Sequence, residues 1–291
     1  MQSVGTLRPV PLRLGMRATR FVTDGVIYVV LTLFTVIVGY PVVAMVLNSF
    51  KGTYEIYANP WGLPRQLLFS NYGYAAQEAQ IPVFMLNSLI VAVATVILTV
   101  VLASTAAYAF ATFRFRGSRV LFLLFALLLI VPVPVGIIPL YIIVSRLHLT
   151  DTYAALILPY TAGGLPLSIF LLRAYFESIP QELSDAARID GCSYAHAFVR
   201  VILPVATPAL ATVTILQFIN SWNEFFLALI FIHKTSMMTL PLGLQSFFYL
   251  YRVQWSYLFA ALSMALVPII VVYLLMQRQF INGLTAGALK G

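Results

Sequence analysis

The sequence predicts an all-α, polytopic membrane protein with about six transmembrane helices and one polar helical element outside the membrane. Three observations point there. Of 291 residues, 61% are hydrophobic and only 9% charged, where soluble domains carry roughly a quarter charged residues. Several apolar runs approach the ~20 residues that span a bilayer as helix. Lys and Arg are also distributed unequally between alternate connecting segments, as in chains whose basic loops stay inside.

Taken in order, residues 1–24 form a basic N-terminal segment containing Arg8, Arg13, Arg17 and Arg20. The apolar run after it is too long for the core of a cleavable signal peptide, so 25–47 is expected to be the first span. Residues 49–83 form the largest outer loop, with Tyr54, Tyr57, Trp61, Tyr72 and Tyr74. They suit either an interfacial aromatic belt or a docking surface for an external partner. The second and third spans are expected at 84–109 and 119–144. Pro132, Pro134 and Pro139 should kink or interrupt the third. The fourth, 152–173, contains Gly163, Gly164 and Pro166, breakers tolerated where neighbouring protein satisfies the freed backbone. The fifth and sixth follow at 207–232 and 257–277. One transmembrane domain thus covers 25–278, with a tail at 279–291. No tandem repeat is present.

Orientation follows from the basic residues. Arg8, Arg13, Arg17, Arg20, Arg114, Arg116, Arg119, Arg173, Arg188, Arg200, Arg278 and Lys290 fall on one side; Lys51, Arg65, Arg146, Lys234 and Arg252 fall on the other. The first set is expected in the cytoplasm, with both termini. The net charge of +8 is accounted for in this way, without nucleic acid.

Between spans four and five lies a polar stretch, 179–206. Pro180 suits a helix start, and Gln181, Glu182 and Asp185 complement the positive end of a helix. Gly191 after Ile189-Asp190 is a natural stop. Ser193 can cap a second short helix reaching about Ile202, with Pro204 and Pro208 ending it. Ala186 and Ala187 leave the first helix thin, while Leu183 and Ile189 offer apolar contacts. This element suits insertion into a groove on another protein, or an interfacial amphipathic loop.

Catalytic chemistry is not expected. The phosphate-binding G-x-x-x-x-G-K-[ST] loop is absent, as is a serine nucleophile elbow. His148, His196 and His233 are scattered without metal-ligand spacing. The single Cys192 excludes an internal disulfide framework or thiolate cluster. Polar residues inside a span are functional candidates. Gln217, Asn220 and Glu224, spaced i, i+3, i+7, share one helix face. With Trp222, Asn223 and Phe225 they could meet a sugar through amides, a carboxylate and aromatic faces. Alternatively, they join neighbouring helices, or Glu224 is hydrated at the outer interface.

The run Pro180-Gln181-Glu182-Leu183-Ser184-Asp185-Ala186-Ala187-Arg188-Ile189-Asp190-Gly191, with Phe198, Ile202-Leu203-Pro204 and Pro208-Ala209-Leu210, resembles the EAA loop of ABC importer permeases. Asp185 stands where that family usually has Glu, which keeps the charge and shortens the reach. Asn87-Ser88, Ala106-Ala107-Tyr108-Ala109-Phe110, Phe113-Arg114-Phe115-Arg116-Gly117, Ser221-Trp222-Asn223-Glu224-Phe225, Thr239-Leu240-Pro241-Leu242-Gly243-Leu244 and the tail from Gly283 are similar to the carbohydrate-uptake branch, in particular the maltose-type second permease.

The resemblance implies a type I importer permease fold in a bacterial or archaeal cytoplasmic membrane. It implies a coupling helix through which Glu182, Asp185, Ala186, Ala187, Asp190 and Gly191 meet an ATPase. It further implies a second permease subunit, two ATPase subunits carrying ATP and Mg, an extracytoplasmic solute-binding protein and a carbohydrate substrate. No cofactor is expected on this chain. The competing readings are a permease for glycerol-3-phosphate or another phosphorylated polyol, an ion-coupled secondary transporter and a membrane enzyme.

Overall fold

A computed structural model of the protein describes residues 14–131, 133–249 and 252–288. Arg8, Arg13, Pro132 and tail residues 289–291 lie outside them. Helices make up most of the described residues. α1 (Leu14–Asn48) leads into two short helices, α2 (Thr53–Ala58) and α3 (Ser70–Gln77). Then come α4 (Ile81–Thr112), α5 (Ser118–Leu128), α6 (Ile137–Arg146) and α7 (Ala154–Phe176). The polar stretch forms α8 (Gln181–Ile189), α9 (Tyr194–Ala197), a π-helical turn (Phe198–Ile202) and α10 (Leu203–Val205). The chain continues through α11 (Thr207–Asn223), α12 (Phe226–Phe231), α13 (Leu240–Leu244) and α14 (Trp255–Ala288). A small antiparallel ribbon pairs Phe248 with Val253 and Tyr249 with Arg252.

Among the described residues, four helices are long and apolar enough to cross a bilayer: Thr23–Asn48, Ile81–Thr112, Ala154–Phe176 and Trp255–Gln279. They correspond to the expected first, second, fourth and sixth spans. The other two depart from single continuous helices. Span three is divided into α5 and α6 around a short 3-10 turn, Val133–Gly136, because Pro134 and Pro139 remove backbone donors in that region. Span five ends as α11 at Asn223; Glu224 is extended (φ −71°, ψ 123°), and α12 restarts at Phe226. Conversely, α7 stays continuous through Gly163, Gly164, Pro159 and Pro166.

The core forms where α4 packs along α7 and α11, and α11 along α14. Ala92, Ala103 and Ala107 on α4 are fully buried, which lets helix backbones approach closely where lipid offers no hydrophobic drive. At Gly164 the approach leaves no room for a side chain: a Cβ there would collide with the amide of Gln217. By contrast α1 packs chiefly on α14, and nearly all of its span is exposed.

Residues 49–83 are a folded cap rather than a loose loop. Lys51 is fully buried, and its Nζ donates to the carbonyls of Asn59 (2.8 Å) and Gly62 (2.7 Å). Asn71 Nδ2 donates to the carbonyls of Ser49 and Lys51. Tyr74 stacks on Tyr257 at 4.0 Å, whereas Tyr54, Tyr57 and Trp61 remain exposed. Lys51→Met removes both charge-assisted bonds to these carbonyls, at a cost of about 1.5–3 kcal/mol. The expected result is a lower melting temperature and faster proteolysis within 49–83; an unchanged melting temperature would refute the pin.

At the same end of the bundle, Asp151 fastens the α6–α7 turn to the segment after α12. Its Oδ1 accepts the backbone N–H groups of His233 and Lys234, the latter at 2.9 Å. These two amides hold its carboxyl below the usual 3.8. A carboxylate with a depressed folded pKa stabilises above its unfolded value and loses that contribution as pH falls through the folded one. The stability gap between wild type and Asp151→Asn should therefore be constant near neutrality and shrink only as pH falls below 3.8. Thermal unfolding across that range tests it; a gap that closes already at about pH 6 contradicts it.

Candidate functional site

Two constellations stand out, one at each end of α11. At the first, α8 projects from the bundle. Pro180 precedes it as N-cap and Glu182 lies in its first turn, where an acid complements the helix dipole. The helix closes with a Schellman pattern: Cys192 N donates to Ala187 O and Gly191 N to Arg188 O, both at 3.0 Å, with Gly191 at φ +85°. A left-handed residue at that position is what glycine supplies without strain. Ser193 then caps α9 by accepting from His196 N. Proline does not end the second helix, since Pro204 sits within α10 at an N-terminal position. The break comes at Ala206, where the segment Tyr194–Val205 meets α11 at 78°.

Burial divides the residues singled out in this element. Glu182, Asp185, Ala186, Asp190 and Gly191 are exposed, whereas Ala187 is buried. Only Ala186, of the two alanines, is thus free to meet another backbone. Ile189 is 86% exposed and Leu183 41%. Among the described residues none of Glu182, Asp185 and Asp190 forms an ion pair. An apolar knob with unpaired acids around it is a surface suited to a partner. Its base is rigid: Tyr108 stacks on Phe198 at 4.6 Å and meets Phe176 edge-on at 6.2 Å. Tyr108, from the Ala106–Phe110 motif, was not expected as an anchor.

The second constellation is a cavity of about 800 Å³ between α7, α11 and the divided span. Gln217, Asn220 and Glu224 all line it, as their spacing predicts. Glu224 is its only charged lining residue among the described residues. Tyr160 donates its hydroxyl to Glu224 Oε2 at 2.5 Å. Leu227 N donates to Glu224 Oε1 at 2.8 Å and Ala228 N to Oε2 at 3.3 Å. The carboxylate therefore caps α12 while facing the cavity, which is why span five breaks there. Gln217 Nε2 donates to Tyr160 O and Ser221 Oγ, with Gly164 leaving room for its amide.

Trp222 and Asn223 do not join this wall. Trp222 is buried against Phe218 and the α4–α14 core; Asn223 is exposed away from the cavity. Tyr160 is a polar lining group that the sequence did not single out, and Ser221 stands out in the sequence only as part of a family-like motif. The motifs Asn87-Ser88 and Thr239–Leu244 prove to be one joint. Asn87 donates to Ser236 O and Met238 O and accepts from Tyr153; Ser88 Oγ accepts from Leu240 N.

Known proteins resemble the whole arrangement. The family described as "Binding-protein-dependent transport system inner membrane component" matches residues 99–285. The chain is 37% identical over 271 residues to "Probable ABC transporter permease protein YurM" of Bacillus subtilis, covering 93% of this chain and 90% of that protein. It is 36% identical over 256 residues to the arabinooligosaccharides transport system permease protein AraQ of Halalkalibacterium halodurans, covering 87% and 91%. Its fold is similar to a chain from the crystal structure of a bacterial ABC transporter involved in the import of the acidic polysaccharide alginate. The TM-score is 0.79 at 25% identity, with 94% of this chain and 100% of that one covered.

Proposed function

We propose, since this chain belongs to the family of binding-protein-dependent transport system inner membrane components, that it is the permease subunit of an ATP-driven importer for a neutral oligosaccharide. The observation that carries this is continuity. One helix, α11, runs from the break beside the exposed α8 knob to the cavity wall formed by Gln217, Asn220 and Glu224. Relatives whose names specify arabinooligosaccharides and diacetylchitobiose support the substrate class.

In this reading both termini and α8 lie in the cytoplasm, and the cap formed by 49–83 faces a solute-binding protein outside. Glu182, Asp185, Ala186, Asp190, Gly191 and the Ile189 knob meet one of two ATPase subunits, which supply ATP and Mg and perform hydrolysis. A second permease subunit completes the cavity. ATPase closure favours one arrangement of α8–α10, and substrate at the cavity favours another; coupling is the difference between those preferences. The lone carboxylate argues against phosphorylated polyols, because a second anion beside Glu224 would meet no lining cation among the described residues and would be repelled at close range.

The test is the complete complex reconstituted in vesicles with its binding protein. Uptake of a neutral oligosaccharide is expected only with internal ATP, and no uptake by this chain alone. Uptake driven by an ion gradient without ATPases would overturn the assignment.

A further inference from the structure

Beside the base of α8, a second groove of about 580 Å³ opens at the turn between α4 and α5. Arg114, Arg119 and Arg173 line it. The only acid on its wall, Glu177, is paired with Arg173 at 2.8 Å. Among the described residues Arg114 and Arg119 form no ion pair. Arg173 is further fixed by its guanidinium lying 3.8 Å over the ring of Phe122. Ser118, the first residue of the 11-residue α5, also lines the groove, bringing the positive end of that helix to the wall.

Apolar side chains border this cationic groove. Phe110, Phe113 and Phe115 form its shoulder. From Arg119 onward, α5 exposes Val120 (61%), Leu123 (56%) and Leu124 (53%). A ligand that matches both parts has an anionic head and an aliphatic body lying along α5. A free phosphate would use the arginines and leave the ramp idle. The groove also stands where two apolar helices end, the depth of a headgroup rather than of the hydrocarbon core.

We propose that this groove binds the phosphate of an anionic phospholipid in the cytoplasmic leaflet, with its acyl chains against α5. Basic pockets between membrane helices on the cytoplasmic side are suited to such headgroups. Gln181, the first residue of α8, lines the same groove, so the bound lipid sits directly against the element proposed to meet the ATPase. The leaflet rests on the orientation proposed above; the chemistry of the groove does not.

The test uses the complete, detergent-purified complex and native mass spectrometry of retained lipid. Phosphatidylglycerol is expected to be retained at about tenfold lower concentration than phosphatidylcholine of the same chains. The pair Arg114→Glu and Arg119→Glu should erase that preference, and Arg114→Lys with Arg119→Lys should keep most of it. Equal retention of the two lipids by wild type, or an unchanged preference after charge reversal, overturns the proposal. So does complete suppression of phosphatidylglycerol binding by millimolar inorganic phosphate. If the charge-reversed complex fails to assemble, the wild-type comparison still decides. Labelling of Cys192 with an impermeant maleimide in inverted vesicles fixes the leaflet, and reaction from the outer face overturns it. A complex that transports yet retains both lipids alike sinks only this inference. One that prefers phosphatidylglycerol but does not transport sinks only the functional reading.

Discussion

Replacing Gly191 by valine is expected to lower substrate-stimulated ATP hydrolysis about tenfold while the complex remains assembled. The turn after α8 holds Gly191 at φ +85° and depends on two bonds, from Gly191 N and Cys192 N, to close the helix. A left-handed conformation costs an ordinary L-residue roughly 1–2 kcal/mol, and β-branching adds to it. Each 1.4 kcal/mol, or about a factor of ten, is taken from the population with a correctly formed turn. A Cβ built at Gly191 meets nothing within 4 Å in this chain, so the cost is conformational rather than steric. Asparagine, which tolerates that conformation, separates two causes. If only turn geometry matters, Gly191→Asn retains most of the stimulation. If a partner backbone presses on this position, Asn fails as badly as Val. Normal stimulation in an assembled Gly191→Val complex would remove the α8 turn from the coupling path.

Glu224→Ala should abolish transport and also lower the melting temperature. Alanine discards the acceptor for Tyr160 and for the Leu227 and Ala228 amides. A lost helix cap costs about 1 kcal/mol, and a charge-assisted bond about 1.5–3 kcal/mol. Glu224→Gln is the informative partner. Its amide oxygen can still accept from Leu227 N and its NH2 can donate to the Tyr160 oxygen, with only the longer Ala228 bond given up, so the fold should survive. With the negative charge gone, exclusion of anionic substrates should relax, seen as uptake or competition by an acidic oligosaccharide that wild type ignores. If Glu224→Gln behaves like wild type in every substrate assay while Glu224→Ala merely melts earlier, the carboxylate is a helix cap and nothing more.

Legibility from the sequence followed the range of the interactions. The four uninterrupted spans are local matters of length and apolarity, and their runs announced them. Gln217, Asn220 and Glu224 were found together because helical spacing alone places them on one face. The same spacing sets Trp222 and Asn223 about 120–140° around the helix from Gln217, and the cavity lies on the Gln217 side. Aromatic and amide chemistry had suggested them, but direction decided. What stayed hidden depends on distant partners. The break in span five needs a carboxylate that caps the next helix and accepts from Tyr160, 64 positions earlier. The fold of 49–83 rests on an ammonium enclosed by carbonyls, a pattern no residue spacing encodes. Ala186 and Ala187 looked equivalent as neighbours, yet adjacent helical positions point about 100° apart, and one of them is buried.

The 78° junction at Ala206 has a mechanical meaning. α11 is an arm of 17 residues, roughly 25 Å long at about 1.5 Å per residue. A tilt of about 5° about the junction carries its far tip through about 2 Å. That exceeds the tolerance of a hydrogen bond, so the contact between Glu224 and Tyr160 cannot survive such a swing unchanged. A displacement too small to alter packing at the fulcrum is therefore large enough, at the tip, to rewrite the polar wall of the cavity.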